Sequence, residues 1–105
     1  WGPVVLGHHH PDVEAAAADL PMSVFGNAGQ DCCARSRILV ERPVYDRFLE
    51  AFSARTDAIV VGDPLDPGTE MGPLISAAQR QVALDYLEIG TGEGARLVQG
   101  GQVPD

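Results

Sequence analysis

The chain is 105 residues long, with 7 basic and 15 acidic side chains and a formal net charge of −8. Every basic residue is arginine and none of them cluster, which argues against nucleic acid or an anionic membrane surface as partner, since both demand phosphate neutralisation. No apolar run approaches the ~18 residues needed to cross a bilayer, and the first residues lack a basic segment followed by an apolar one, so no secretory leader is expected. The two cysteines, Cys32 and Cys33, are neighbours and cannot staple distant segments, which favours a reduced, cytoplasmic setting. Folding a chain of this size buries roughly 65% of its unfolded surface, enough for a thin core.

Pro3-Val4-Val5-Leu6 is a short apolar run of strand type, closed by Gly7. Asp12 is a good helix N-cap ahead of Val13, Ala16, Ala17 and Leu20 at helical spacing. Pro21 is expected to break or kink this helix, with Met22–Phe25 resuming it. Ile38–Glu41 predicts a second strand. Pro43 opens a helix to about Ala58, with Tyr45, Phe48, Leu49 and Phe52 on one stripe. Val60-Val61 then lead into Gly62-Asp63-Pro64-Leu65-Asp66-Pro67-Gly68, a turn-rich loop. Ser76 and Gln79 form an S-x-x-Q capping box for a third helix bearing Val82, Ala83, Tyr86 and Leu87. Gly90, Gly92 and Gly94 end it, and Arg96-Leu97-Val98 reads as another strand. This order gives an α/β layer with crossover connections and no visible internal boundary.

Residues 25–37, Phe-Gly-Asn-Ala-Gly-Gln-Asp-Cys-Cys-Ala-Arg-Ser-Arg, carry the chemistry. A cysteine attacks as thiolate, and backbone N–H groups around it stabilise that charge and any oxyanion it creates. Glycines allow the close approach this requires. Taken alone, a cysteine in such a place also reads as a small buried hydrophobe.

The wording of the loop goes further. Phe25-x-Asn27-x-Gly29-Gln30-x-Cys32 resembles the active-site cysteine signature of the NAD(P)-dependent aldehyde dehydrogenases. Ser36-Arg37 entering a strand, Val44-Tyr45-Asp46-Arg47-Phe48, Gly62–Pro67 followed by Met71-Gly72-Pro73-Leu74-Ile75, and Gly94–Val98 with Gly100-Gly101 are similar to that family in order and spacing. The likeness covers about residues 12–101. It implies that Cys32 is the nucleophile, that NAD or NADP is the cofactor, and that a small-molecule aldehyde is oxidised to an acid through a thiohemiacetal and a thioester. It implies a partial three-layer or open, mostly parallel sheet with helices, the first half of a catalytic domain spanning residues 1–105. A homo-oligomer, or the remainder of the enzyme, is the expected partner.

The same comparison marks departures. The family's cofactor-binding domain, its general-base glutamate in a Glu-Leu-Gly-Gly segment, its oxyanion-hole amide and its Glu-x-Phe-Gly-Pro segment do not occur in these 105 residues. By themselves they are expected to be inactive. Two rival readings stay open: a non-catalytic remnant or interaction module of the same fold, and a cofactor-independent thiol esterase.

Single residues have bland readings beside the functional ones. Gln79 falls where the family has a glutamine that approaches the cofactor ribose, and it also completes the capping box. Asn27 positions the cysteine loop or simply fixes a turn. Asp31 faces the substrate passage and favours a cationic aldehyde, or is an exposed loop carboxylate. As a like charge it raises the pKa of the adjacent thiol. His8, His9 and His10 point to alternate faces if extended and lack partners at ligand spacing, so they read as an exposed polar edge and no metal is expected. Gly90-Thr91-Gly92-Glu93-Gly94 follows a helix rather than a strand, which makes it a helix C-terminal turn and not a phosphate loop. Arg35 and Arg37 are expected to pair with nearby carboxylates.

Overall fold

A computed structural model describes residues 4–103; Pro3, read as opening the first strand, lies outside them. The chain divides into two compact units, the first ending at Pro73 and the second beginning at Leu74. No composition shift in the sequence marks that division.

In the first unit, β1 (Val4–Leu6) and β2 (Ile38–Val40) pair in parallel with Val4 opposite Ile38, Val5 opposite Leu39 and Leu6 opposite Val40. Parallel neighbours require a crossover, and α1 (Val13–Phe25) supplies it. Strand periodicity separates the two faces: Leu6 is buried and Ile38 and Val40 pack against the core, while Val5 and Leu39 are exposed. The core is Leu6, Val13, Ala17, Val44 and Phe48, with Leu20, Ala51 and Phe52 packed around it. It joins the sheet to α1 and to α2 (Arg42–Asp57).

Asp12 caps α1 as expected, accepting the Ala15 N–H at 2.8 Å. Pro21 does not end the helix, which continues to Phe25 with Pro21 inside it and fully buried. A proline at this position removes only one donor, the partner of the Ala17 carbonyl, and burial of its ring against the core offsets that loss. Glu41 stands at the N-cap of α2 rather than in β2, and Pro43 occupies the first turn, where its missing N–H costs nothing. The buried stripe of α2 is Val44 and Phe48; Tyr45 is exposed, and Leu49 and Phe52 are half-buried. The expected stripe was therefore displaced by one residue at its start. Glu14 on α1 receives Arg47 of α2 in a two-pronged pair at 2.7–2.9 Å.

After α2 the loop is held by its aspartates. Asp63 Oδ1 accepts the Leu65 N–H at 2.9 Å and Asp66 Oδ1 accepts the Gly68 N–H at 2.8 Å, two turns of the kind aspartate favours. The chain returns so that Val61 bridges Met71 in parallel, with the Gly62 N–H on the Met71 carbonyl at 3.1 Å. Glu70 fastens this return, accepting from the Val60 N–H at 3.0 Å and from Arg55 at 2.7 Å.

The second unit contains α3 (Ala77–Gly92), whose N-cap Ser76 accepts the Gln79 N–H at 3.1 Å. The helix passes through Gly90 and unwinds at Gly94, which has a φ of 96°; the Ala95 N–H closes on the Gly90 carbonyl at 2.9 Å. This is the expected C-terminal turn. Arg96–Val98 does not form a strand, because no strand among the described residues pairs with it. Val82, Tyr86 and Ile89 are exposed.

Candidate functional site

The cysteine segment hangs from the end of α1. The Gly26 N–H closes the helix on the Met22 carbonyl. The chain then makes a left-handed turn through Asn27 (φ 53°, ψ 34°), Ala28 (φ 54°, ψ 32°) and Gly29 (φ 74°). Glycine and asparagine adopt this region readily, but alanine does so at a cost of roughly 1–2 kcal/mol. Three bonds between the two motif residues hold the turn. Asn27 Nδ2 donates to the Gln30 carbonyl at 3.0 Å, while Gln30 Nε2 and the Gln30 N–H both reach the Asn27 carbonyl at 3.1 Å. Gln30 Nε2 also faces the Pro73 carbonyl at 3.5 Å. Asn27 and Gln30 thus act as one clamp, whose bonds all lie within the turn that leads to the cysteines.

The clamp delivers Asp31, Cys32 and Cys33 to the surface, all three exposed and both cysteines free. The Ala34 N–H returns to the Asp31 carbonyl at 3.0 Å, and the Arg35 N–H ties the exit of the loop to the Ser23 carbonyl on α1 at 3.1 Å. Asp31 Oδ1 accepts the Cys33 N–H at 2.9 Å. The Sγ atoms of Cys32 and Cys33 stand 3.8 Å apart. Contact with the Cys33 thiol, together with hydrogen bonding to and the negative charge of Asp31, pushes the Cys32 thiol above its ordinary value, while its own backbone N–H works the other way. Among the described residues no other acceptor takes that N–H. The loop therefore offers an exposed thiol in its resting, protonated form beside a backbone donor available to an incoming oxygen.

Gln79 lies on the first turn of α3, in the second unit, with its backbone N–H committed to Ser76. Its side chain is exposed and makes no hydrogen bond among the described residues. The histidine run is exposed; His8 pairs with Glu41, and His10 Nδ1 accepts the Asp12 N–H at 3.2 Å. His8 also holds the Glu41 carboxyl below its ordinary value, chiefly through its backbone N–H. Arg35 and Arg37 do not take up the expected carboxylates: among the described residues the arginine ion pairs are those of Arg47 with Glu14 and Arg55 with Glu70. The Asn27–Gln30 clamp is legible in sequence only as a motif. Its left-handed geometry at Ala28 has no sequence signal, since alanine disfavours it.

A two-stranded parallel α/β layer presenting a clamped cysteine is the start of a known enzyme fold, and the comparisons agree on which. The model of the aldehyde dehydrogenase family matches residues 4–105. The chain belongs to that family. A betaine aldehyde dehydrogenase of Sinorhizobium fredii is 45% identical over 94 residues, covering 90% of this chain and 19% of that protein. An indole-3-acetaldehyde dehydrogenase, solved as a complex with NAD+, superposes with a TM-score of 0.91 at 39% identity over 96% of this chain and 20% of that one. The betaine aldehyde dehydrogenase of Staphylococcus aureus, also solved with NAD+, gives a TM-score of 0.92 at 36% identity, covering 99% of this chain and 20% of that one. The chain thus spans about a fifth of the length of the relatives it matches.

Proposed function

We propose that these residues are the nucleophile-bearing part of the catalytic domain of an NAD(P)-dependent aldehyde dehydrogenase. The observation that carries the reading is the Asn27–Gln30 clamp, which holds an exposed Cys32 with its backbone N–H open to an oxyanion. Cys32 attacks the aldehyde carbon as thiolate, forming a C–S bond, and the carbonyl oxygen becomes an oxyanion that the Cys32 N–H helps to hold. When bound, NAD or NADP supplies a hydride acceptor. Gln79 fits a contact with the cofactor ribose, because its carboxamide is exposed and uncommitted. As the oxyanion collapses to a carbonyl, the C–H bond of the thiohemiacetal carbon breaks with its electron pair leaving as hydride, which gives a thioester on Cys32. Water attacking that thioester releases the acid and restores the thiol.

The raised Cys32 thiol gives the division of labour. Within the loop only the Cys32 backbone N–H favours the thiolate, while Cys33 and Asp31 oppose it, so drawing its proton calls for a base beyond this loop. The exposed apolar side chains Val5 and Leu39 on β1 and β2, and Val82, Tyr86 and Ile89 on α3, accord with a chain completed by further protein, either the rest of the enzyme or another copy.

The test uses a full-length enzyme carrying this segment. Cys32→Ala is expected to abolish aldehyde-dependent NADH formation while Cys33→Ala retains it. The reverse pattern, or activity surviving both substitutions, would overturn the assignment of the nucleophile, and no aldehyde-dependent NADH formation by the unsubstituted protein would favour the non-catalytic module.

A further inference from the structure

The thiol of Cys33 and the carboxylate of Asp31 have no part in the proposed chemistry, yet with Cys32 they bring two sulfurs and a carboxylate oxygen within 4.8 Å of one another. Among the described residues this is the one such convergence of three ligand-type side chains; the histidine run makes none. The spacing is specific. Two sulfurs bound at about 2.3 Å to one tetrahedral zinc lie about 3.8 Å apart, and Cys32 Sγ and Cys33 Sγ are 3.8 Å apart as they stand. The backbone holds the pair there: the Cys33 N–H is fixed on Asp31 Oδ1, and the Ala34 N–H on the Asp31 carbonyl. The Asp31 carboxylate thereby offers one ligand oxygen within reach of both sulfurs. A pair of thiolates selects soft cations over magnesium or calcium.

We propose that Asp31, Cys32 and Cys33 form a binding site for a thiophilic tetrahedral cation of the Zn2+ class, with solvent at the fourth position. Two S–H bonds break, their protons pass to solvent, and two metal–sulfur bonds and one metal–oxygen bond form, with no change of oxidation state. Binding is a property of this loop and does not depend on Cys32 being the nucleophile. Where it is the nucleophile, the cation withholds it from the aldehyde, so metal occupancy and activity exclude each other.

The experiment titrates Zn2+ into the reduced full-length protein carrying this segment against a chromophoric chelator, and repeats the titration with Cd2+ while following the ultraviolet thiolate-to-cadmium charge-transfer band. One metal per chain is expected, with the band rising to saturation at that ratio. Cys33→Ser should cut the band by about half and weaken binding by about tenfold or more, and Asp31→Asn should weaken binding while leaving the band. His9→Ala should change neither. Absence of the band, a band undiminished in Cys33→Ser, one metal per two chains, or binding lost with His9→Ala would each overturn the site. These readouts involve no aldehyde turnover, so failure here is distinguishable from failure of the enzymatic reading.

Discussion

Phe48 links the core to the helix end that carries the cysteine loop. It is 4% exposed, its ring lies 5.5 Å from that of Phe52, and Phe52 in turn meets Phe25, the last residue of α1, at 6.2 Å. Phe25 adjoins the left-handed turn, so this aromatic chain seats the end of the helix from which Cys32 is presented. Phe48→Ala removes the largest side chain of a core of five buried hydrophobic residues. Such truncations cost about 3–5 kcal/mol, and at ~1.4 kcal/mol per factor of ten that is roughly a hundredfold to several thousandfold in the folded-to-unfolded ratio. Few neighbours are present to collapse into the cavity. Amide hydrogen exchange is the direct assay: protection in the middle turns of α1 and α2 should fall together by about that factor. The rate of Cys32 alkylation should approach that of the denatured chain. Phe48→Leu, which keeps most of the volume, should cost about 1.5 kcal/mol or less. Protection unchanged within about threefold in Phe48→Ala, or lost in α2 alone, would refute the claim that this ring joins the two helices.

The left-handed turn makes its own prediction. Ala28→Gly relieves roughly 1–2 kcal/mol of backbone strain and gives back about 0.5–1 kcal/mol in unfolded-chain entropy, so the denaturant midpoint should rise slightly; a loss of more than about 1 kcal/mol would mean that Ala28 is not left-handed. Glu70 predicts a pH effect. Its carboxyl is held below the ordinary 4.5, first by the Val60 N–H and then by Arg55. A lowered folded value stabilises above the ordinary one, and that contribution disappears as pH falls through the lowered value. Exchange protection of the Glu70 and Met71 amides, which both reach the Val60 carbonyl, should therefore fall on acidification below about 4.5, and Glu70→Gln should remove that pH dependence.

Much of this protein was written locally. The caps at Asp12 and Ser76, the turns at Asp63 and Asp66 and the C-terminal turn at Gly94 all follow from interactions between residues close in sequence. The order of motifs around Cys32 likewise placed the chain in its family. What sequence could not decide were outcomes that depend on a partner. Pro21 stays inside a helix because the core receives its ring. Val44 replaces Tyr45 in the buried stripe because the direction in which α2 meets α1 and the sheet is set by packing, not by spacing. Arg96–Val98 remains irregular because a strand exists only where another strand takes its hydrogen bonds. Ala28 is driven left-handed by the reciprocal bonds of Asn27 and Gln30, a cost that alanine's own preference would have forbidden. The adjacent cysteines are local information; the turn that presents them comes from hydrogen bonds that exist only once the chain has folded.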